Sequence, residues 1–91
     1  MGILLPPPQY DHPPTIPVVE RILPANEAAV ICRSSERANM TGTWSWVGCA
    51  IVKNGICYVV RVDMDDVKRH ELAHCNGWLG SHPGGYYEFN K

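Results

Sequence analysis

No run of basic residues longer than Lys68-Arg69 occurs in this 91-residue chain, and its eight Lys and Arg are balanced by nine Asp and Glu. That removes the electrostatic footprint expected of a nucleic-acid binder. Long apolar stretches are also missing. Ile3-Leu4-Leu5 is far shorter than the ~20 residues of a transmembrane helix and too short for the core of a signal peptide, so no membrane span is expected and localisation stays open. Closely spaced cysteines of the kind that build a thiolate zinc site are lacking as well. Cys32, Cys49, Cys57 and Cys75 instead allow three fully paired disulfide connectivities, or four buried thiols in a reducing compartment.

Proline nearly disappears after residue 24 and glycine is nearly absent before residue 42, so the two ends of the chain obey different backbone rules. Pro6-Pro7-Pro8 and Pro13-Pro14 favour polyproline II and forbid helix. Residues 1–15 therefore read as an extended arm, lying over the domain or loose in solvent, and residues 16–91 as one small domain. Tyr10, Asp11 and His12 of the arm are candidates to close one side of a site.

Val18, Val19 and Ile22 suit a strand within residues 16–23, and Pro24 opens a short helical stretch through Ile31. Residues 34–45 read as a polar loop punctuated by Gly42. Residues 47–52 and 56–62 are β-branched runs separated by Lys53-Asn54-Gly55, the strongest short hairpin signal in the chain, and they put Cys49 and Cys57 on adjacent strands with Cys32 and Cys75 nearby. Asp63 reads as a helix N-cap, Asp65 and Asp66 as a first turn matched to the helix dipole, and Gly77 as the residue that ends the helix. Tyr86 to Phe89 can add a short closing strand. The expected class is α+β: a short N-terminal strand and helix, an antiparallel hairpin, then the helix that carries the chemistry.

That helix contains His70-Glu71-Leu72-Ala73-His74. Histidines four apart project from one helical face and can meet one ion, while the neighbouring carboxylate can take a proton from water. Such a pattern arises by chance in roughly one chain of this length in several hundred. At 100° per residue, Met64, Val67, His70, Glu71, His74, Cys75 and Trp78 share an arc, with Asp66, Arg69 and Asn76 largely opposite. The His-Glu-His group thus lies on the inward face, where three titratable groups cost several kcal/mol unless paired or bound to a metal. The purely structural alternative has His70 and His74 satisfied by backbone carbonyls and Glu71 paired with Arg61 or Arg69.

Catalytic zinc ordinarily takes three protein ligands and the helix supplies two. His82 is the candidate third, reached if the chain folds back after Gly77; His12 is the alternative, with Glu88 behind it. Tyr86 or Tyr87 are candidate donors to a transition-state oxyanion.

His70-Glu71-Leu72-Ala73-His74-Cys75-Asn76-Gly77 resembles the active-site helix and glycine turn of zincin metallopeptidases, and the resemblance covers that helix and turn only. The metzincin form has a histidine three residues after the glycine, where this chain has Gly80, and no methionine follows Met64 to build a methionine turn. The gluzincin form takes a glutamate from a later helix, and only Glu88 follows Glu71. What remains is similar to a short zincin-like form with Gly77-Trp78 and a histidine four residues after the tryptophan. The resemblance implies a Zn2+ cofactor held by His70 and His74, Glu71 as general base, a peptide or protein substrate, and a strand of the 47–62 hairpin as the edge that aligns it. The alternative expectation is a non-catalytic zinc-stapled domain that binds a partner protein.

Overall fold

The computed structural model describes residues 3–38, 43–45 and 48–87. They form an α+β domain with, in chain order, β1 (Leu4–Leu5), β2 (Val18–Ile22), α1 (Ala25–Ala38), β3 (Thr43–Ser45), β4 (Gly48–Lys53), β5 (Ile56–Arg61), α2 (Asp65–Cys75) and β6 (Tyr86–Tyr87). Four strands make one sheet in the order β2-β5-β4-β3, while β1 and β6 pair separately. Among the described residues no helix is long and apolar enough to cross a membrane.

The β4–β5 turn sets the register of the sheet. Asn54 (φ 54°) and Gly55 (φ 77°) both adopt the left-handed conformation that a two-residue hairpin turn needs, so Lys53 opposes Ile56 and Ala50 opposes Val59. Alternation then gives Gly48, Ala50, Cys57, Val59 and Arg61 one face, and Cys49 and Val60 the other. Ala50, Cys57 and Val59 are buried and meet Cys75, with Leu72 packed against them, so α2 covers the first face.

The cysteines pair as Cys32–Cys49 and Cys57–Cys75. A bond between the adjacent-strand cysteines is not formed, because the turn register sets Cys49 opposite Val60 and Cys57 opposite Val52, pointing them to opposite faces. One disulfide therefore ties α1 to one side of the sheet and the other ties α2 to the opposite side.

Three local features differ from the sequence reading. α1 continues through the polar stretch after Ile31 to Ala38, since Ser34-Ser35-Glu36-Arg37 contains neither Gly nor Pro to stop it, and β3 falls inside the expected loop. The N-cap of α2 is Met64, in extended conformation and with no side-chain cap bond, in place of Asp63. The edges of the sheet are β2 and β3, so β5 is an inner strand, and β4 is covered by β3 from Gly48 to Ala50. Of the hairpin, Ile51–Lys53 of β4 runs beyond the β3 pairing.

The arm lies along α2. Leu5, Pro6 and Pro7 are buried, Asp11 pairs with Arg69 at 2.7 Å, and Asn76 Nδ2 donates to the carbonyls of Tyr10 (2.9 Å) and His12 (2.7 Å). Arg69 and Asn76, which periodicity assigns to the solvent side, are the residues the arm covers.

Candidate metal centre

The inner face of α2 is set by its apolar residues: Val67 and Cys75 are buried against the sheet, and the same face carries His70, Glu71 and His74. The helix ends in a paired-bond glycine cap. Gly77, at φ 101°, donates to the carbonyl of His74 at 3.1 Å, and Trp78 donates to that of Ala73 at 3.1 Å. This reversal sends the chain back over the helix. The return is braced by the amide of His82 donating to Leu79 (2.9 Å) and that of Gly85 to His82 (3.1 Å). His82 itself sits at φ 59°, a left-handed conformation uncommon for a side chain of this size, and is held there by these bonds.

The result is that His70, His74 and His82 each offer a ligand atom, all within 4.8 Å of one another. These three residues lie close enough to bind a metal ion. Two of the rings are oriented by backbone. His70 Nδ1 is 2.6 Å from the carbonyl oxygen of Leu4 and His74 Nδ1 is 2.7 Å from that of Trp78. A carbonyl can only accept, so both Nδ1 atoms carry the proton and both Nε2 atoms present lone pairs in the neutral rings. Those two Nε2 atoms face each other at 3.2 Å. His82 Nε2 is buried with no hydrogen-bond partner. Lone pairs converging in this way repel unless a cation or a proton lies between them. Burial works against the proton: it lowers the His74 pKa to about 4 and pulls those of His70 and His82 below the ordinary imidazole value. A metal cation between the His70 and His74 Nε2 atoms satisfies both, with His82 close enough to join them, and carbonyl-held Nδ1–H groups are the usual outer contacts of metal-binding histidines.

Trp78 is the platform beneath the group. The residue is 2% exposed, and its ring stacks on His74 at 5.0 Å between centroids, meets His70 and His82 edge-on or nearly so at 5.1 and 4.8 Å, and is fixed by Nε1–H donating to Pro83 at 2.9 Å.

Glu71 is 1% exposed, and its Oε1 has no partner. Neither arginine proposed as its mate takes it: Arg61 pairs with Glu20 at 2.5 Å and Arg69 with Asp11. Burial alone pushes its carboxyl well above the usual carboxylate range. Room for it comes from Gly48, where a Cβ would stand 3.1 Å from Glu71 Oε2 and 2.9 Å from the Val60 carbonyl oxygen. A glycine on the helix-facing side of a strand signals close approach, so Gly48 was legible in principle. The Leu4 carbonyl was not, since every residue carries one.

The remaining candidates lie elsewhere. His12 has its ring nitrogens at 3.0 and 3.1 Å from the carbonyls of Pro13 and Gln9 and does not join the cluster. Tyr86 and Tyr87 are exposed on β6, and Tyr86 bonds to Arg69, whose charge is held chiefly by Asp11. Glu88 lies outside the described residues. A groove of about 200 Å3 runs past His74 between Ala50, Ile51 and Val52 of β4 and the turn at Gly77, Leu79 and Gly80. A larger hollow of about 380 Å3, between Pro13-Pro14 and Leu72, contains none of the three clustered histidines, so size does not locate the chemistry. Set beside known protein families, curated proteins and solved structures, the chain matches none of them.

Proposed function

We propose that the protein is a zinc-dependent metallopeptidase in which His70, His74 and His82 hold the metal and Glu71 is the general base. The observation that carries the reading is the pair of inward Nε2 lone pairs at 3.2 Å, each oriented by an Nδ1–H bond to backbone. Two imidazoles on one tetrahedral zinc at 2.0–2.1 Å stand about 3.3 Å apart, so the spacing fits that ion. Neutral imidazoles with a fourth position left over favour zinc among divalent metals.

A bound zinc would supply a Lewis acid that polarises a peptide carbonyl and makes water acidic near neutral pH. The chain's own residues do the rest. Glu71 has one oxygen uncommitted; as the carboxylate, the form that a bound cation nearby would favour against its burial, it could receive a proton and return it to the leaving amine. The groove beside His74 offers apolar walls from β4 and Leu79 against which a peptide can lie. Cleavage is expected to fall by at least a hundredfold in Glu71→Gln with zinc binding kept, as assayed on unstructured peptides with metal content measured in parallel. Unchanged cleavage in that variant would contradict the assignment.

One observation favours the non-catalytic reading. Glu71 is 1% exposed, as suits a site closed for stability alone. A zinc-loaded parent protein that cleaves no peptide, and that Glu71→Gln merely destabilises or stabilises, would support it.

A further inference from the structure

The N-terminal arm touches both pieces of backbone that carry the clustered histidines. On the helix side, the Leu4 carbonyl accepts His70 Nδ1–H at 2.6 Å. On the other side, Leu4 and Leu5 pair with Tyr87 and Tyr86, which directly follow the return that bears His82. The contact there is close: a Cβ on Gly85 would lie 3.0 Å from Leu4 Cγ, and one on Gly84 would lie 3.2 Å from Pro7 Cγ. Leu5 is fully buried and fixes the register, and Asp11 pins the arm farther along α2.

We infer that Leu4–Leu5 is a positioning element of the metal site, so that docking of the arm and metal binding form one coupled equilibrium. The inference rests on the three histidines holding zinc. Without the arm, His70 Nδ1–H loses its buried acceptor and the ring loses its fixed orientation, while β6 loses its strand partner and the His82 return loses that tie. Coupling of this kind is reciprocal: the factor by which the docked arm tightens zinc is the factor by which zinc tightens the arm.

Zinc is titrated into the metal-free full chain and into its Leu5→Asp variant, which expels β1 from its buried seat. The variant is expected to keep its far-ultraviolet circular dichroism and to bind zinc about ten- to a hundredfold more weakly, the usual effect of losing an outer contact to a metal-binding histidine. In the unsubstituted chain, zinc is expected to slow amide hydrogen exchange across Leu4–Leu5 and Tyr86–Tyr87. A variant that binds zinc as tightly as its parent, or zinc uptake by the parent with exchange unchanged in both segments, overturns the inference. Where Leu5→Asp fails to fold, the exchange measurement decides by the same two outcomes. A parent chain that takes up no zinc is a separate result, which removes the metal site along with the coupling built on it.

Discussion

Glu71 and the three histidines are buried titratable groups whose preferences run in opposite directions, and metal-free protein should show both. Burial lowers the pKa values of His70, His74 and His82 from 6.5, so the neutral rings contribute stability that is full above pH 6.5 and is lost as pH falls through their folded values, about 4 for His74. The Glu71 carboxyl, raised above 4.5, contributes stability that is full below pH 4.5 and is lost as pH rises through its folded value. Between pH 4.5 and 6.5 the two slopes oppose each other. Denaturant unfolding in chelator is expected to show that Glu71→Gln gains stability with pH more steeply over this window than the parent does. Gly48 is tied to the same carboxyl. Gly48→Ala puts a methyl against the β5 backbone and Glu71 Oε2, and is expected to cost about 1–3 kcal/mol, read from the shift in denaturant midpoint.

At the scale of elements, the two disulfides separate the site from the rest of the fold. They bridge residues 17 and 18 apart in sequence, and a loop of that length is worth about 3 kcal/mol each. Removing either pair should therefore destabilise the protein by a similar amount. Zinc affinity should distinguish them: Cys57→Ala/Cys75→Ala frees the last turn of α2 beside His74 and weakens binding, whereas Cys32→Ala/Cys49→Ala, on the far face of the sheet, leaves it within a few-fold. Calorimetric titration of both double variants checks this. Equal losses of affinity would mean that the site depends on global stability and not on the tether. These elements also show what could be read in advance. Asn54-Gly55 announced the hairpin, Gly77 announced the reversal, and helical periodicity announced the buried His70, Glu71 and His74, because each is a local rule with its determinant in a few adjacent residues. The length of α1, strand β3 and the disulfide pairing were not legible, since they depend on register and packing across the sheet. Placement of Met64 misled for the same reason: it falls on the apolar arc of α2, yet stands 50% exposed at the helix start, beyond the reach of the sheet.

At the scale of the molecule, the central apolar cluster among the described residues is small. The central cluster is Ala50, Cys57, Val59 and Cys75, small side chains that bury limited area, and much of the rest of the order comes from disulfides, the arm and the histidine cluster. A metal bound by the folded chain alone then becomes a main source of stability. At a thousandfold excess over its dissociation constant it adds about 4 kcal/mol, which for a domain of this length raises the melting temperature by roughly 15–30 °C. The most direct measurement is the zinc content of purified protein and of its His70→Ala and His82→Ala variants, with thermal melts in chelator and in added zinc. Close to one zinc per chain, lost in each variant and accompanied by a lower melting temperature in chelator, is the predicted result. A chain that carries no zinc, and melts at the same temperature whether zinc is supplied or removed, would contradict the metal centre and the peptidase reading together.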